Sequence, residues 1–92
     1  MRLPTHRAPT SPGEMLKEEF LEPFELTQAE LSRRMRVTPR VVNEICQGKR
    51  AITPRTAILL SDVLGTQPDF WLHCRLKWDL WHEYKRMKRK IA

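Results

Sequence analysis

The side chains best suited to chemistry lie between residues 27 and 50, in the segment TQAELSRRMRVTPRVVNEICQGKR. Arg40, Asn43 and Glu44 share one face of a predicted helix, and each type can form directional hydrogen bonds with a base edge. Arginine can donate to guanine O6 and N7, asparagine can pair with adenine, and glutamate can accept from a cytosine amine. This face therefore predicts either base reading in the major groove or a plain solvated surface.

The sequence gives little support to enzymatic chemistry. Cys46 and Cys74 form no CxxC pair, and the three histidines are scattered without an HExxH motif. Neither a nucleophile–base pair nor a glycine-rich phosphate loop is present. We therefore expect no catalytic residues, no metal and no cofactor, and we expect reduced thiols in a cytoplasmic protein.

Start and stop signals divide the chain into five predicted helices. A Ser or Thr cap, a Pro in the first turn, or both, precede each helix, and Pro or Gly follows most of them. Because no strand-like alternation competes, the predicted fold class is all-α. The helices are expected to start at Ser11, Thr27, Thr38, Thr53 and Pro68, with capping boxes at Ser11/Glu14 and Thr27/Glu30, and the first four to end near Pro23, Met35, Gly48 and Gly65.

The second and third helices have the spacing of a helix-turn-helix, because only Arg36 and Val37 are expected to connect them. Ser32 is small where the two helices must approach each other. Polar residues around the third helix are suited to phosphate contacts, which position a protein on DNA. The inward positions are Leu31, Met35, Val37, Val42 and Ile45, and the predicted DNA-binding residues are Gln28, Thr38, Pro39, Arg40, Asn43, Glu44, Lys49 and Arg50.

The length and the net charge of the chain limit the number of domains and the kind of partner. Ninety-two residues allow one domain, and a net charge of +6 favours an anionic partner such as nucleic acid. No apolar run has membrane-spanning length, so we expect no membrane contact. The predicted divisions are a flexible arm over residues 1–11, a helix-turn-helix domain with a long last helix over residues 12–84, and a basic tail over residues 85–92.

Several motifs outside the helix-turn-helix resemble the HigA family, antitoxins of the Xre group in type II toxin–antitoxin systems. They are PGEMLKEEFLEP at 12–23, LTQAEL at 26–31, GKRAITP at 48–54, PDFWL at 68–72 and WDLW at 78–81. The resemblance covers residues 12–82, and PGE and DFWL are its most discriminating parts. It implies a five-helix domain of the lambda-repressor-like fold that forms a homodimer, binds its own double-stranded operator DNA, and pairs with a HigB-type mRNA-cleaving toxin.

Two positions depart from that family, which often has Gly where this chain has Glu25 and Arg36. Arg36 ends the second helix, where a left-handed conformation is expected. A non-glycine residue there should cost about 1 kcal/mol.

The last helix carries two apolar strips, which is more than one packed face needs. We expect one strip to face the core and the other to face a second copy of the chain, since Trp and Tyr are enriched at interfaces. The alternative is a helix that is buried on both strips in its own core. Twofold pairing would place two recognition helices about 34 Å apart. The predicted dimer interface is Trp71, Trp78, Leu80, Trp81 and Tyr84.

The first helix is acidic, whereas a ribonuclease toxin should be basic. Glu14, Glu18, Glu19 and Glu22 are therefore the predicted toxin contacts. The predicted function is an antitoxin that neutralises its toxin and represses its own operon as a dimer. The alternatives are a plain Xre-type repressor without a toxin, and an interaction module in which the helical hairpin is only scaffold.

Overall fold

The computed structural model describes the backbone of residues 8–91 and the side chains of residues 8–88. The predicted all-α fold is confirmed, since this part of the chain holds helices and no strand. None of its helices combines the length and the hydropathy that crossing a membrane requires. The elements are α1 (Pro12–Leu16), a π-helix (Lys17–Leu21) that continues α1, α2 (Gln28–Met35), α3 (Pro39–Cys46), α4 (Pro54–Leu64) and α5 (Pro68–Ile91).

Side-chain caps start the first two helices, but neither predicted capping box closes. The Ser11 hydroxyl accepts from the Glu14 amide at 3.2 Å, and the Thr27 hydroxyl accepts from the Glu30 amide at 3.0 Å. The second bond of each box, from the cap residue's amide to the Glu carboxylate, is missing. The Glu14 carboxylate accepts from the Ser11 hydroxyl instead, and Glu30 pairs with Arg33 and Arg34. Each helix therefore has half of the predicted box.

The two Thr-Pro starts behave differently. Thr53 and Thr56 exchange hydrogen bonds in both directions and form a complete capping box at α4. Thr38 occupies the cap position of α3 with an extended backbone, but its side chain makes no capping hydrogen bond. The prediction that Thr38 caps α3 is therefore correct for the backbone only, and its exposed hydroxyl is left for another partner.

The first helix widens in its second half, which the sequence did not predict. The amide of Glu22 donates to the carbonyl of Lys17 at 3.0 Å, and the amide of Leu26 donates to Leu21 at 2.9 Å. The first of these bonds belongs to the π-helix, whereas the second closes the turn around the left-handed Glu25. The helix ends before Pro23, as expected, because proline has no amide hydrogen with which to continue the ladder.

One core joins all the helices. Leu16 of α1, Leu31 of α2, Val42 of α3, Leu60 of α4 and Trp71 of α5 are each fully buried. Full burial of a Leu or Val side chain contributes about 1.5–3 kcal/mol to the free energy of folding. The core therefore holds α3 rigidly against the rest of the domain.

The structure corrects one residue of the predicted dimer interface. Trp71 has no exposed surface, and its indole Nε1 donates to the Thr66 hydroxyl at 2.7 Å. Its ring packs on Phe20 and Phe70 of the same chain. Trp71 is therefore a core residue, because its strip of α5 faces the domain at that point.

The ends of the chain fall partly outside the described residues. The predicted arm is non-helical over residues 8–11, and residues 1–7 lie outside the description. The predicted boundary at residue 84 does not mark the end of a helix, since α5 runs unbroken through Ile91. Ala92 and the side chains beyond Lys88 lie outside the described residues.

Candidate nucleic-acid interface

A tight turn of three residues, Arg36, Val37 and Thr38, joins α2 to α3. Arg36 is left-handed, with φ 60° and ψ 40°, as the sequence predicted. Its amide donates to the Arg33 carbonyl at 3.1 Å, and the Val37 amide donates to the Ser32 carbonyl at 3.0 Å. These bonds satisfy the carbonyl groups at the end of α2 and turn the chain into α3.

Close packing fixes the angle between the two helices. Ser32 is 2% exposed, and its hydroxyl donates to the Ala29 carbonyl at 2.8 Å. This buried hydroxyl is therefore hydrogen-bonded within its own helix and needs no partner on α3. The predicted inward residues Leu31, Met35, Val42 and Ile45 are buried, and Val37 is half-buried beside them.

The opposite face of α3 is polar and accessible. Arg40, Asn43 and Gln47 are exposed, and Glu44 is half-buried between them. The Asn43 amide Nδ2 donates to the Gln28 side-chain oxygen at 3.1 Å. This contact joins the start of α2 to the middle of α3, so the predicted phosphate-contacting residue and the predicted base-reading residue lie side by side.

Glu44 lies at the centre of an arginine cluster. Its Oε1 accepts from Arg50 Nη2 at 2.7 Å and from Arg50 Nε at 3.1 Å. Its Oε2 accepts from Arg40 Nε at 3.3 Å. The hydrogen bond from Arg50, with a smaller contribution from Arg40, lowers the pKa of the Glu44 carboxyl below its usual value. Glu44 is therefore charged at neutral pH.

The loop after α3 folds back onto the end of the helix. The amides of Lys49 and Arg50 donate to the Glu44 carbonyl at 2.8 Å and 3.2 Å. Gly48 makes this possible, since its φ of +74° is strained for any residue with a Cβ. Lys49 and Arg50 are both exposed, so the loop presents two cations beside the polar face of α3.

The structure thus brings the predicted DNA-binding residues into one neighbourhood, and it adds contacts that the sequence did not predict. Glu44, expected to accept from a cytosine, has both carboxylate oxygens bonded to arginines. The sequence carried a signal for half of this cluster, the i,i+4 spacing of Arg40 and Glu44. Arg50 could not be anticipated, because only the fold of the loop brings it to Glu44.

Other chemistries find no support in the described part of the chain. Residues 8–88 contain no group of three metal-ligating side chains. Burial raises the pKa of the Cys46 thiol, which is 7% exposed, and the same effect raises the pKa of Cys74. A raised pKa keeps both thiols protonated at neutral pH, which is the opposite of what a nucleophilic cysteine needs.

Comparison with known proteins identifies this arrangement. Residues 17–71 match the helix-turn-helix family. The antitoxin HigA-1 of Vibrio cholerae is 40% identical over 86 residues, which are 94% of this chain and 81% of that protein. The chain belongs to the HigA family of helix-turn-helix proteins. It is thus a DNA-binding regulator of that type and not an enzyme.

Two further proteins are similar to this chain over most of its length. An HTH-type transcriptional regulator of Haemophilus influenzae is 38% identical over 88 residues, covering 94% of this chain and 82% of that protein. The structure of the Pseudomonas aeruginosa antitoxin HigA with the higBA promoter aligns with a TM-score of 0.84 and 32% identity, covering 91% of both chains.

Proposed function

We propose that this HigA-family protein binds operator DNA as a homodimer, thereby represses its own operon, and neutralises a HigB-type toxin in the cytoplasm. The observation that carries the DNA-binding part is the polar face of α3, where Arg40 and Asn43 are exposed beside the cationic loop of Lys49 and Arg50. The similarity to the solved structure of an antitoxin with the higBA promoter supports the same role.

The geometry fits the usual docking of a helix-turn-helix. The recognition helix lies in the major groove and its first turns contact base edges, while neighbouring groups contact phosphates. Arg40 lies in the first turn of α3, and Asn43 lies one turn further on. The uncapped Thr38 hydroxyl and the side chains of Lys49 and Arg50 flank the helix as phosphate contacts.

Homodimerisation is proposed through the half of α5 beyond Trp71. Trp78 and Trp81 stack with ring centroids 6.4 Å apart and remain partly exposed, as do Leu80 and Tyr84. Leu76 is 43% exposed on the same helix. Pairing with a second copy of the helix would remove this aromatic and aliphatic surface from water. Symmetric pairing is the commonest arrangement of such copies.

The toxin surface is proposed on the first helix. Glu14, Glu18, Glu19 and Glu22 are all exposed there, and none of the four forms an ion pair within the described side chains. Unpaired carboxylates on one helix produce a negative potential that attracts a basic partner. This surface belongs to α1 and its π-helical continuation, not to the exposed face of α3.

A second candidate function is a transcriptional repressor without a toxin partner. The similarity to an HTH-type transcriptional regulator favours it as directly as the similarity to HigA-1 favours the antitoxin. The two functions share operator binding and differ in whether a small basic protein is bound.

Co-expression with the neighbouring small reading frame tests the antitoxin function. We expect the neighbour alone to arrest growth, and co-expression of this chain to restore growth and to retain the neighbour in a pull-down. The double variant Glu18→Lys with Glu19→Lys should lose that retention, because it replaces attraction by repulsion, whereas Asp62→Lys on α4 should not. A harmless or unbound neighbour would leave the repressor function instead.

A further inference from the structure

Arg40 is anchored in the free protein through one nitrogen only. Its Nε lies 3.3 Å from Glu44 Oε2, while its terminal nitrogens Nη1 and Nη2 form no hydrogen bond among the described side chains. The Arg40 side chain is 81% exposed, whereas that of Glu44 is 21% exposed. The more buried partner is therefore the carboxylate, and the terminal nitrogens of the arginine are not hydrogen-bonded to it.

This is the geometry that guanine recognition requires. A guanidinium is a rigid fork of five N–H donors, and a bidentate contact with O6 and N7 uses two of them in parallel. Holding the Nε end fixes the plane of the fork and leaves the terminal donors for the base. On these grounds we propose that Glu44 is a positioning residue, which orients Arg40 for guanine and Arg50 for phosphate and does not itself contact a base.

The cluster also sets the charge that the interface presents to DNA. Glu44 neutralises one of the two arginines, because its pKa is lowered and it stays ionised when the protein is free. Phosphate attraction is the same for every sequence, so a smaller local charge weakens non-specific binding. Specific binding is weakened by the same amount, so Glu44 raises the ratio of specific to non-specific affinity through the positioning of Arg40 alone. This inference rests on the proposed operator binding.

The test compares Glu44→Gln with wild-type protein on two DNA probes. One probe is the duplex that the wild-type protein selects from a randomised library, and the other has the same bases in scrambled order. We expect Glu44→Gln to bind the scrambled duplex more tightly and to lower the affinity ratio about tenfold, the size of one lost guanine discrimination. The salt dependence should steepen by about one phosphate contact.

Glu30→Gln is the matched control. Glu30 lies on α2 and also pairs with two arginines, Arg33 and Arg34, so its loss changes the net charge by the same amount. We expect the affinity ratio of Glu30→Gln to stay at the wild-type value. Thermal melting should show that both variants remain folded, since the two carboxylates lie in exposed ion pairs of small energetic worth.

A double-variant cycle separates positioning from direct contact. If Glu44 acts through Arg40, Glu44→Gln should have no further effect on the affinity ratio in an Arg40→Ala background. Replacing the contacted guanine by 7-deazaguanine, which lacks N7, should weaken wild-type binding more than Glu44→Gln binding.

Two results would overturn the proposal: an unchanged affinity ratio for Glu44→Gln, or a persistent effect of Glu44→Gln without Arg40, as a direct cytosine contact would give. If the wild-type protein selected no sequence at all, the proposal of operator binding would be rejected, and this inference would be rejected with it.

Discussion

Two residues of this domain adopt a backbone conformation that suits glycine. Glu25 and Arg36 have φ of 53° and 60°, at the two positions where the resemblance to the HigA family leads us to expect Gly. The left-handed region costs a residue with a Cβ about 1 kcal/mol relative to glycine. Both side chains are exposed, so neither gains packing that would offset this cost. The domain therefore carries local strain at two turns, one of them inside the helix-turn-helix.

Replacing Arg36 by Gly should relieve that strain. We expect Arg36→Gly to raise the free energy of unfolding by about 0.5–1 kcal/mol, a rise in Tm of roughly 4 °C. Chemical denaturation measures this directly. Arg33→Gly is the control, because Arg33 is helical and exposed and should lose about 1 kcal/mol. A loss of similar size in both variants would show that Arg36 makes a compensating interaction.

At the scale of elements, the recognition helix is held in place by the first turn of α1. Gly13 is buried, and a Cβ added to it would lie 2.7 Å from the carbonyl oxygen of Cys46, at the end of α3. The approach of these two backbones requires the absence of a side chain. The PGE motif, noted in the sequence for its resemblance to the HigA family, therefore has a physical role in positioning α3.

Gly13→Ala tests this contact by the sign of its effect. Helix propensity alone predicts that alanine stabilises α1 by about 1 kcal/mol. The clash with the α3 carbonyls predicts instead a loss of about 1–3 kcal/mol. We expect the loss, together with faster amide hydrogen exchange at Gln47 and Gly48. Gly65→Ala, which meets open space, should leave exchange at those amides unchanged. A more stable Gly13→Ala would contradict the close approach.

Helix boundaries were predictable because their signals are local. Thr27, Pro39 and Gly65 mark helix ends through their own backbone preferences, and the structure places each where the sequence predicted. The π-helix was not predictable, since a shift in hydrogen-bond register leaves no mark on the pattern of apolar residues. The Arg50–Glu44 pair was missed for a related reason, because it depends on how the loop folds back.

Trp71 shows the limit of helical periodicity on α5. The helical spacing placed Trp71 on one strip with Trp78 and Trp81, and the three residues do lie on one side of α5. Periodicity cannot say where along its length a helix leaves the core. Trp71 lies where α5 packs on Phe20, and Trp78 and Trp81 lie further on, where the helix is partly exposed.

At the scale of the whole molecule, α5 makes the protein elongated. The described residues extend over 47 × 23 × 23 Å, and a helix of 24 residues is about 36 Å long. Arg75 ties this helix to the loop after α3, since its Nη1 donates to the Ile52 carbonyl at 2.9 Å. The proposed dimer helix and the proposed recognition helix are thus linked through one short loop, so pairing through α5 would fix the spacing of two copies of α3.

The most direct test of this account is selection of DNA from a randomised library, with sequencing of the bound fraction. We predict that the wild-type protein selects a palindrome whose half-sites are centred about 34 Å apart, one turn of DNA, with a guanine in each half-site that Arg40→Ala no longer selects. Two chains should bind each selected duplex. Selection of a single half-site, or of the same palindrome by Arg40→Ala, would contradict the account of a dimer that reads DNA through the exposed face of α3.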